Sequence, residues 1–270
     1  MYNGIKEVTL KSDNEIAKFY EGKLDLELNT NQYLILKNKE NEVIDKLRWN
    51  GLSFSKLIST KIKGFKPKTI KQEFLADMLT NKDVPVKIIA GVPGSGKTKM
   101  SIAHAIQFLS KGEYSKIFLV RHNVGVGEKN GYLPGSKFEK IRGWLGFFED
   151  NIDDTQLTIE DMVEKGSLDV DGVEYMKGRD LKNCFIIIDE CEDLTEDQFR
   201  MLGERVSHGS CICFIGDYEQ TTQEKYKSNS GLKRAIEKLA GNKHCGIVVF
   251  DDKENDNVRS DVSKVFSSLY

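Results

Sequence analysis

Gly91-Val92-Pro93-Gly94-Ser95-Gly96-Lys97-Thr98 is the stretch that decides the fold, because it fits the pattern G-x-x-x-x-G-K-[ST]. The run Pro85-Val86-Lys87-Ile88-Ile89-Ala90 before it reads as a buried strand. Lys97 to Leu109 after it reads as an amphipathic helix carrying Met100, Ile102, Ile106 and Leu109. A helix N-terminus presents unpaired N–H groups and a partial positive charge, so a bent loop of glycines there wraps a polyphosphate. Gly91, Pro93, Gly94, Ser95 and Gly96 form that loop. Lys97 then reaches the β- and γ-phosphates, and the Thr98 hydroxyl ligates Mg²⁺.

Outward from this loop the chain alternates. Strands are expected at 86–90, 116–120, 184–188, 211–215 and 246–250, and helices at 70–79, 97–109, 195–206, 231–239 and 258–269. Thr195 with Gln198 three residues on makes a capping box. Such alternation predicts an α/β fold with a mostly parallel sheet covered by helices on both faces, and a ligand site beyond the carboxyl ends of its strands. The first 64 residues read differently. A short helix at Asn14–Tyr20 and a hairpin of Tyr33–Leu36 with Val43–Leu47 predict a small β-rich appendage, leaving 65–270 as the core. A run of Lys56, Lys61, Lys63, Lys66, Lys68 and Lys71 joins the two, either as a solvated linker or as a contact to a phosphate backbone. Glu149 to Glu174 holds ten acids and one lysine and is expected to be an exposed, weakly packed insertion.

Composition bounds the function classes. A net charge of -2 with 30% charged residues gives no global pull towards nucleic acid or membrane, and no run of about 18 apolar residues predicts a membrane span. The N-terminus lacks a signal peptide's apolar region, so a cytoplasmic protein is expected. Cys184, Cys191, Cys211, Cys213 and Cys245 form no C-x-x-C pair and read as reduced, buried thiols.

Two further pieces complete a constellation. Phe185-Ile186-Ile187-Ile188-Asp189-Glu190 is an apolar strand ending in two acids. Asp189 suits the outer shell of a phosphate-bound magnesium, and Glu190 suits a base that deprotonates water. A second strand ends in Gly216-Asp217-Tyr218-Glu219-Gln220, placing the Gln220 amide where a γ-phosphate and its attacking water would lie. Gln72, one helix before the loop, suits an adenine edge or a helix surface. Arg121, Arg205 and Arg259 are each candidates to stabilise transition-state charge. ATP is favoured over GTP because no Asn-Lys-x-Asp follows the strands.

The segment from Lys116 through Arg121-His122-Asn123-Val124 to Gly131-Tyr132-Leu133-Pro134-Gly135 and Glu139-Lys140 resembles the PhoH family of ATPases. Met176-Lys177-Gly178-Arg179, Ser228-Asn229-Ser230-Gly231-Leu232 and Asn257-Val258-Arg259-Ser260 extend the resemblance over about residues 65–270. Asp189-Glu190-Cys191-Glu192-Asp193 departs from that family's Asp-Glu-Ala-Gln-Asn, and Arg121-His122 from its Arg-Pro. The resemblance implies a single RecA-like P-loop core related to superfamily one helicases. It implies Mg²⁺-dependent ATP hydrolysis and a single-stranded nucleic acid partner, RNA before DNA, held by the loop from Arg121 to Gly135. A lone core needs an arginine from elsewhere, which implies a homo-oligomeric ring such as a hexamer, in a bacterial or phage-infected cytoplasm. Arg259 is then the favoured trans-acting arginine and Arg205 the runner-up. The first segment resembles the joint between a PIN nuclease and the ATPase in longer members, so an ATPase part without that nuclease is expected. Two other classes remain open: a nucleotide-gated binding module with little turnover, and a small-molecule phosphotransferase.

Overall fold

The computed structural model describes residues 1–58, 62, 65–121, 159–217, 230–251 and 255–258. Gln220, Arg259, the loop from 122 to 135, Lys61 and Lys63 lie outside them, as does the expected helix beyond Val258. The N-terminal segment builds a four-stranded sheet from β1 (Ile5–Thr9), β2 (Tyr33–Lys37), β3 (Val43–Trp49) and β4 (Phe54–Lys56), with α1 (Asp13–Tyr20) after β1. β1 runs parallel to β2, while β2–β3 and β3–β4 are antiparallel. The β2–β3 turn closes through Asn38, whose side-chain oxygen accepts the Glu42 N–H at 2.8 Å, and through Asn41 in the left-handed region. β2 is apolar on both faces for a reason visible in its partners. Leu34 and Leu36 meet Phe19 and Leu47 in a small core, while Tyr33 and Ile35 turn the other way into the main one.

This sheet shares its packing with the larger body. Tyr33 stacks on Phe74 with ring centroids 4.6 Å apart, and its hydroxyl donates to Asp77 at 2.7 Å. Arg48 Nε donates to the same carboxylate oxygen at 3.0 Å. The Asn31 side chain donates to the carbonyls of Lys243 and Cys245 at 3.0 and 3.1 Å.

The second sheet is six-stranded and wholly parallel. Along the chain come α2 (Ile70–Thr80), β5 (Val86–Gly91), α3 (Lys97–Ser110), β6 (Lys116–Arg121), α4 (Ile159–Glu164) and β7 (Leu168–Gly172). These are followed by β8 (Cys184–Asp189), α5 (Glu196–Gly203), β9 (Cys211–Gly216), α6 (Gly231–Leu239) and β10 (Cys245–Phe250). The spatial order is β10-β5-β9-β8-β6-β7. Phe185 and Ile187 face the layer holding α2, α3 and α4, while Ile186 and Ile188 face α5 and α6, which is why β8 reads as an unbroken apolar run. Because all strands are parallel, the ends of β5, β8 and β9 open on one edge, with β9 between the other two.

From Ile159 to Glu174 the acidic stretch corrects its expectation, while residues 149–158 lie outside the described ones. Ile159, Met162, Val163 and Leu168 are buried, and β7 pairs with β6 from Ile117–Leu168 to Arg121–Gly172, making the sixth strand. Its acids disguise it: Arg179 binds Asp171 at 2.7 Å and Asp169 at 3.7 Å, and Lys116 lies 3.5 Å from Asp169. An edge strand tolerates such charges where cations cover that face. Among the described residues, no helix is long and apolar enough to cross a membrane.

Candidate nucleotide site

The loop after β5 is shaped by bare α-carbons. Gly91 has φ +115°, and a Cβ there would stand 2.0 Å from the Phe250 carbonyl oxygen, so no other residue fits beside β10. Gly96, left-handed at φ 84°, starts α3 without any side-chain cap, so the leading N–H groups of the helix remain for a ligand. Ser95 is buried and its hydroxyl donates to the Val92 carbonyl at 2.9 Å, folding the loop on itself. Pro93 and Gly94 line the cavity above it.

Gln72, for which an adenine edge or a helix surface was open, does not lie on the helix surface. It is buried, its amide nitrogen donates to the Ser95 carbonyl at 2.9 Å, and its oxygen accepts the Lys68 N–H at 2.7 Å. The cap at Thr69 directs the first turn of α2 against the loop, so Gln72 braces the loop. Next to it, Lys71 grips Asp256 at 2.6 Å and Asp251 at 2.5 Å, and the Val258 N–H donates to the Gly94 carbonyl at 3.1 Å. The residue before Arg259 is therefore fastened to the phosphate loop, and this lysine of the basic run is engaged within the chain. Arg205 lies elsewhere. Its carbonyl accepts the Leu181 N–H near the amino ends of β8 and β9, at the edge opposite the loop, which removes it from the site of its own chain.

Lys97 is 8% exposed, and its ammonium donates to the Gly91 and Val92 carbonyls at 2.7 Å each and to Ser95 Oγ at 3.2 Å. Burial draws its pKa down to about 8, against the pull of Asp217, Glu192 and Asp189. Beside it the Thr98 hydroxyl donates to Asp189 Oδ1 at 3.3 Å. Burial raises the Asp189 carboxyl, with Arg121 working in the other direction. A hydroxyl and a carboxylate side by side are hard oxygen donors, a pair that fits Mg²⁺, which takes few protein ligands and completes its shell with phosphate and water. Glu190 follows in the left-handed region at φ 56°, half exposed, and hydrogen-bonds Arg121. A non-glycine residue held there stores strain of order 1–3 kcal/mol, and such strain gathers at functional positions.

These groups line one cavity of about 540 Å³. Two of its residues, Glu192 and Asp217, were not singled out as site residues from sequence. Glu192 stands on the tight 3-10 turn Cys191–Asp193, which follows the left-handed Glu190 and carries it back to the cavity that Asp189 lines. Its carboxylate accepts the Asp217 N–H at 3.1 Å, and burial pushes its pKa up to about 7. The run of acids after β8 and the Gly216-Asp217 strand end were the legible signals.

The PhoH-like protein family description matches residues 64–270. Protein PhoH2 of Bacillus subtilis is 30% identical over 92% of this chain and 60% of its own length. A PhoH-like protein of the same organism is 33% identical over 74% of this chain and 62% of its own. The chain thus spans about three-fifths of the length of these two relatives. The large terminase of a thermophilic bacteriophage aligns over 76% of this chain and 51% of its own at 15% identity, with a TM-score of 0.46. With a family match over residues 64–270 behind a phosphate loop, a hydroxyl–carboxylate pair and an all-parallel sheet, the chain belongs to the PhoH-like protein family.

Proposed function

We propose that the chain binds ATP with Mg²⁺, hydrolyses it, and couples hydrolysis to single-stranded nucleic acid, RNA in preference to DNA. One observation carries the first part: Lys97, Thr98, Asp189 and Glu190 line a single cavity, in which the Thr98 hydroxyl meets the Asp189 carboxylate at 3.3 Å. Lys97 exchanges its carbonyl partners for phosphate oxygens, and the α3 N-terminus holds the chain of phosphates. The Thr98–Asp189 pair would hold the magnesium, which would supply neutralisation of phosphate charge. Glu190 accepts the proton of the attacking water. The test is phosphate release by the full chain with and without poly(U) or poly(dT). Indifference to both removes the nucleic-acid part and leaves the ATPase.

Coupling follows from Arg121, which pairs with Glu190 and opens the loop leading to Gly135. A phosphate backbone competing for that guanidinium frees the base. The same pair also favours a second reading, a nucleotide-gated module with little turnover, since it occupies the base. Retention of ATP with negligible phosphate release, even at saturating nucleic acid, would select that reading.

For assembly we propose a homo-oligomeric ring in which Arg259 completes the site of a neighbouring copy. Mixing Arg259→Ala chains with Lys97→Ala chains checks this. Each is inactive alone, and recovery of activity on mixing is expected. No recovery places the arginine in its own chain's site, one residue beyond the Val258–Gly94 bond.

A further inference from the structure

Glu192 and Asp217 line the cavity without a role in the proposed hydrolysis, and Glu192 is the one whose carboxylate reaches the backbone of the other strand end. It lies against the bare α-carbon of Gly216, where a Cβ would come within 2.5 Å of Glu192 Oε2. That same oxygen accepts the Asp217 N–H, so the loop after β8 is tied to the end of β9 through this one side chain.

Asp189, Glu190, Glu192 and Asp217 line the cavity with Lys97. Arg121 sits 3.7 Å from Asp189 and pairs with Glu190, while the Lys97 ammonium feels the charges of Asp217, Glu192 and Asp189. Cys191 and Asp193 share the turn of Glu192, and burial holds the Cys191 thiol well above its ordinary range. α6 abuts this turn through Gly231, whose N–H donates to the Leu194 carbonyl. A triphosphate adds several negative charges to such a cavity, of which a bound Mg²⁺ would offset two, and the Lys97 ammonium turns from its carbonyl partners to the phosphates. Both changes disfavour an ionised Glu192.

We infer that Glu192 takes up a proton when a nucleoside triphosphate enters and, as the neutral acid, donates a hydrogen bond to a γ-phosphate oxygen while still accepting the Asp217 N–H. The inference rests on the ATP reading of the site. The step is carboxylate plus a solvent proton giving carboxylic acid. No bond to the nucleotide forms or breaks, and the proton returns to solvent when the phosphate leaves. A protonated carboxyl offers one donor and one acceptor, as an amide does, so Glu192→Gln fixes the side chain in the nucleotide-binding form.

Burial already holds the Glu192 carboxyl at about 7 in the nucleotide-free protein, with Asp189 and Asp193 adding to that and backbone N–H groups opposing it. Binding that requires the proton therefore weakens as pH rises above 7, by up to about tenfold per pH unit. Lys97 also gains a proton on binding, but its own pKa of about 8 places that uptake higher.

The experiment is calorimetric titration of the full chain with a non-hydrolysable ATP analogue and Mg²⁺ at pH 7, in two buffers of different ionisation enthalpy. Wild type is expected to take up about half a proton per site. Glu192→Gln takes up almost none beyond the share due to Lys97 and the nucleotide, and that share is common to both proteins. Across pH 6 to 7.5 the analogue's affinity falls for wild type and stays level for Glu192→Gln, whereas Glu192→Ala binds weakly throughout. Tight binding by wild type with no buffer dependence overturns the inference while leaving the ATP site intact. Equal uptake by wild type and Glu192→Gln also overturns it. No binding of the analogue by wild type removes the ATP site and the inference with it. If Glu192→Gln does not fold, judged by circular dichroism, the size of the wild-type uptake decides: about half a proton supports the inference, and no more than the share due to Lys97 and the nucleotide overturns it.

Discussion

Arg121 and Glu190 form an ion pair at the carboxyl edge of the sheet, joining the last residue of β6 to the first residue after β8. β6 and β8 are neighbours in register, with Arg121 opposite Asp189, so the guanidinium meets both acids at once. Replacing Arg121 with Gln frees Glu190. Basal ATP hydrolysis should rise a few-fold and its stimulation by poly(U) should vanish, measured by phosphate release. A fall in basal rate would show that Arg121 acts on the phosphate itself.

Lys97→Ala removes the cation that meets the β- and γ-phosphates, and turnover should fall to background in a protein that still folds. In wild type the nucleotide-free ammonium has a pKa of about 8, because burial disfavours its charge. Above that pH the amine is neutral and must gain a proton to bind phosphate, so nucleotide affinity should fall as pH rises from 8 to 9. Titrations at constant ionic strength check the direction. Affinity that rises over that interval would contradict it.

Glu190→Gln should retain ATP while slowing hydrolysis by about 10²–10⁴-fold, the range a positioned general base contributes. Filter binding with labelled ATP, followed by separation of ATP from ADP, distinguishes trapping from lost affinity. Rapid hydrolysis by the variant would pass the base role to another carboxylate in the cavity.

Asp77→Ala tests how firmly the N-terminal sheet is joined to the core. Asp77 is wholly buried on α2 and accepts from the Tyr33 hydroxyl, Arg48 Nε and the Ile58 N–H. Its loss strands a largely buried guanidinium, a kind of defect that costs about 3–5 kcal/mol. The melting temperature should fall on the order of 10 °C. A change of only a degree or two would mean that the sheet is held by apolar contact alone.

Much of the central sheet was legible because local chemistry and global position agree there. The Gly91–Thr98 pattern, its flanking strand and helix, and the Asp189-Glu190 strand end each carry a periodicity or spacing that follows from backbone geometry. β7 escaped notice because Asp169 and Asp171 turn one face of it acidic, and what neutralises that face, Arg179 and Lys116, comes from other segments. The position of Gln72 was not legible for the same reason. A glutamine one helix before a phosphate loop can face a base or a backbone, and the Thr69 cap and the Ser95 carbonyl decide the matter in space.

The sequence by itself determined the chemistry of the phosphate loop and the parallel, doubly covered sheet, since glycine spacing and apolar runs bind neighbours in the chain. Only the tertiary structure decided which charges meet: Arg121 with Glu190, Lys97 with its own loop, Glu192 with the Asp217 N–H. Those pairings depend on strand order, which brings the end of β9 between β5 and β8, and on burial, which sets how strongly each charge is felt.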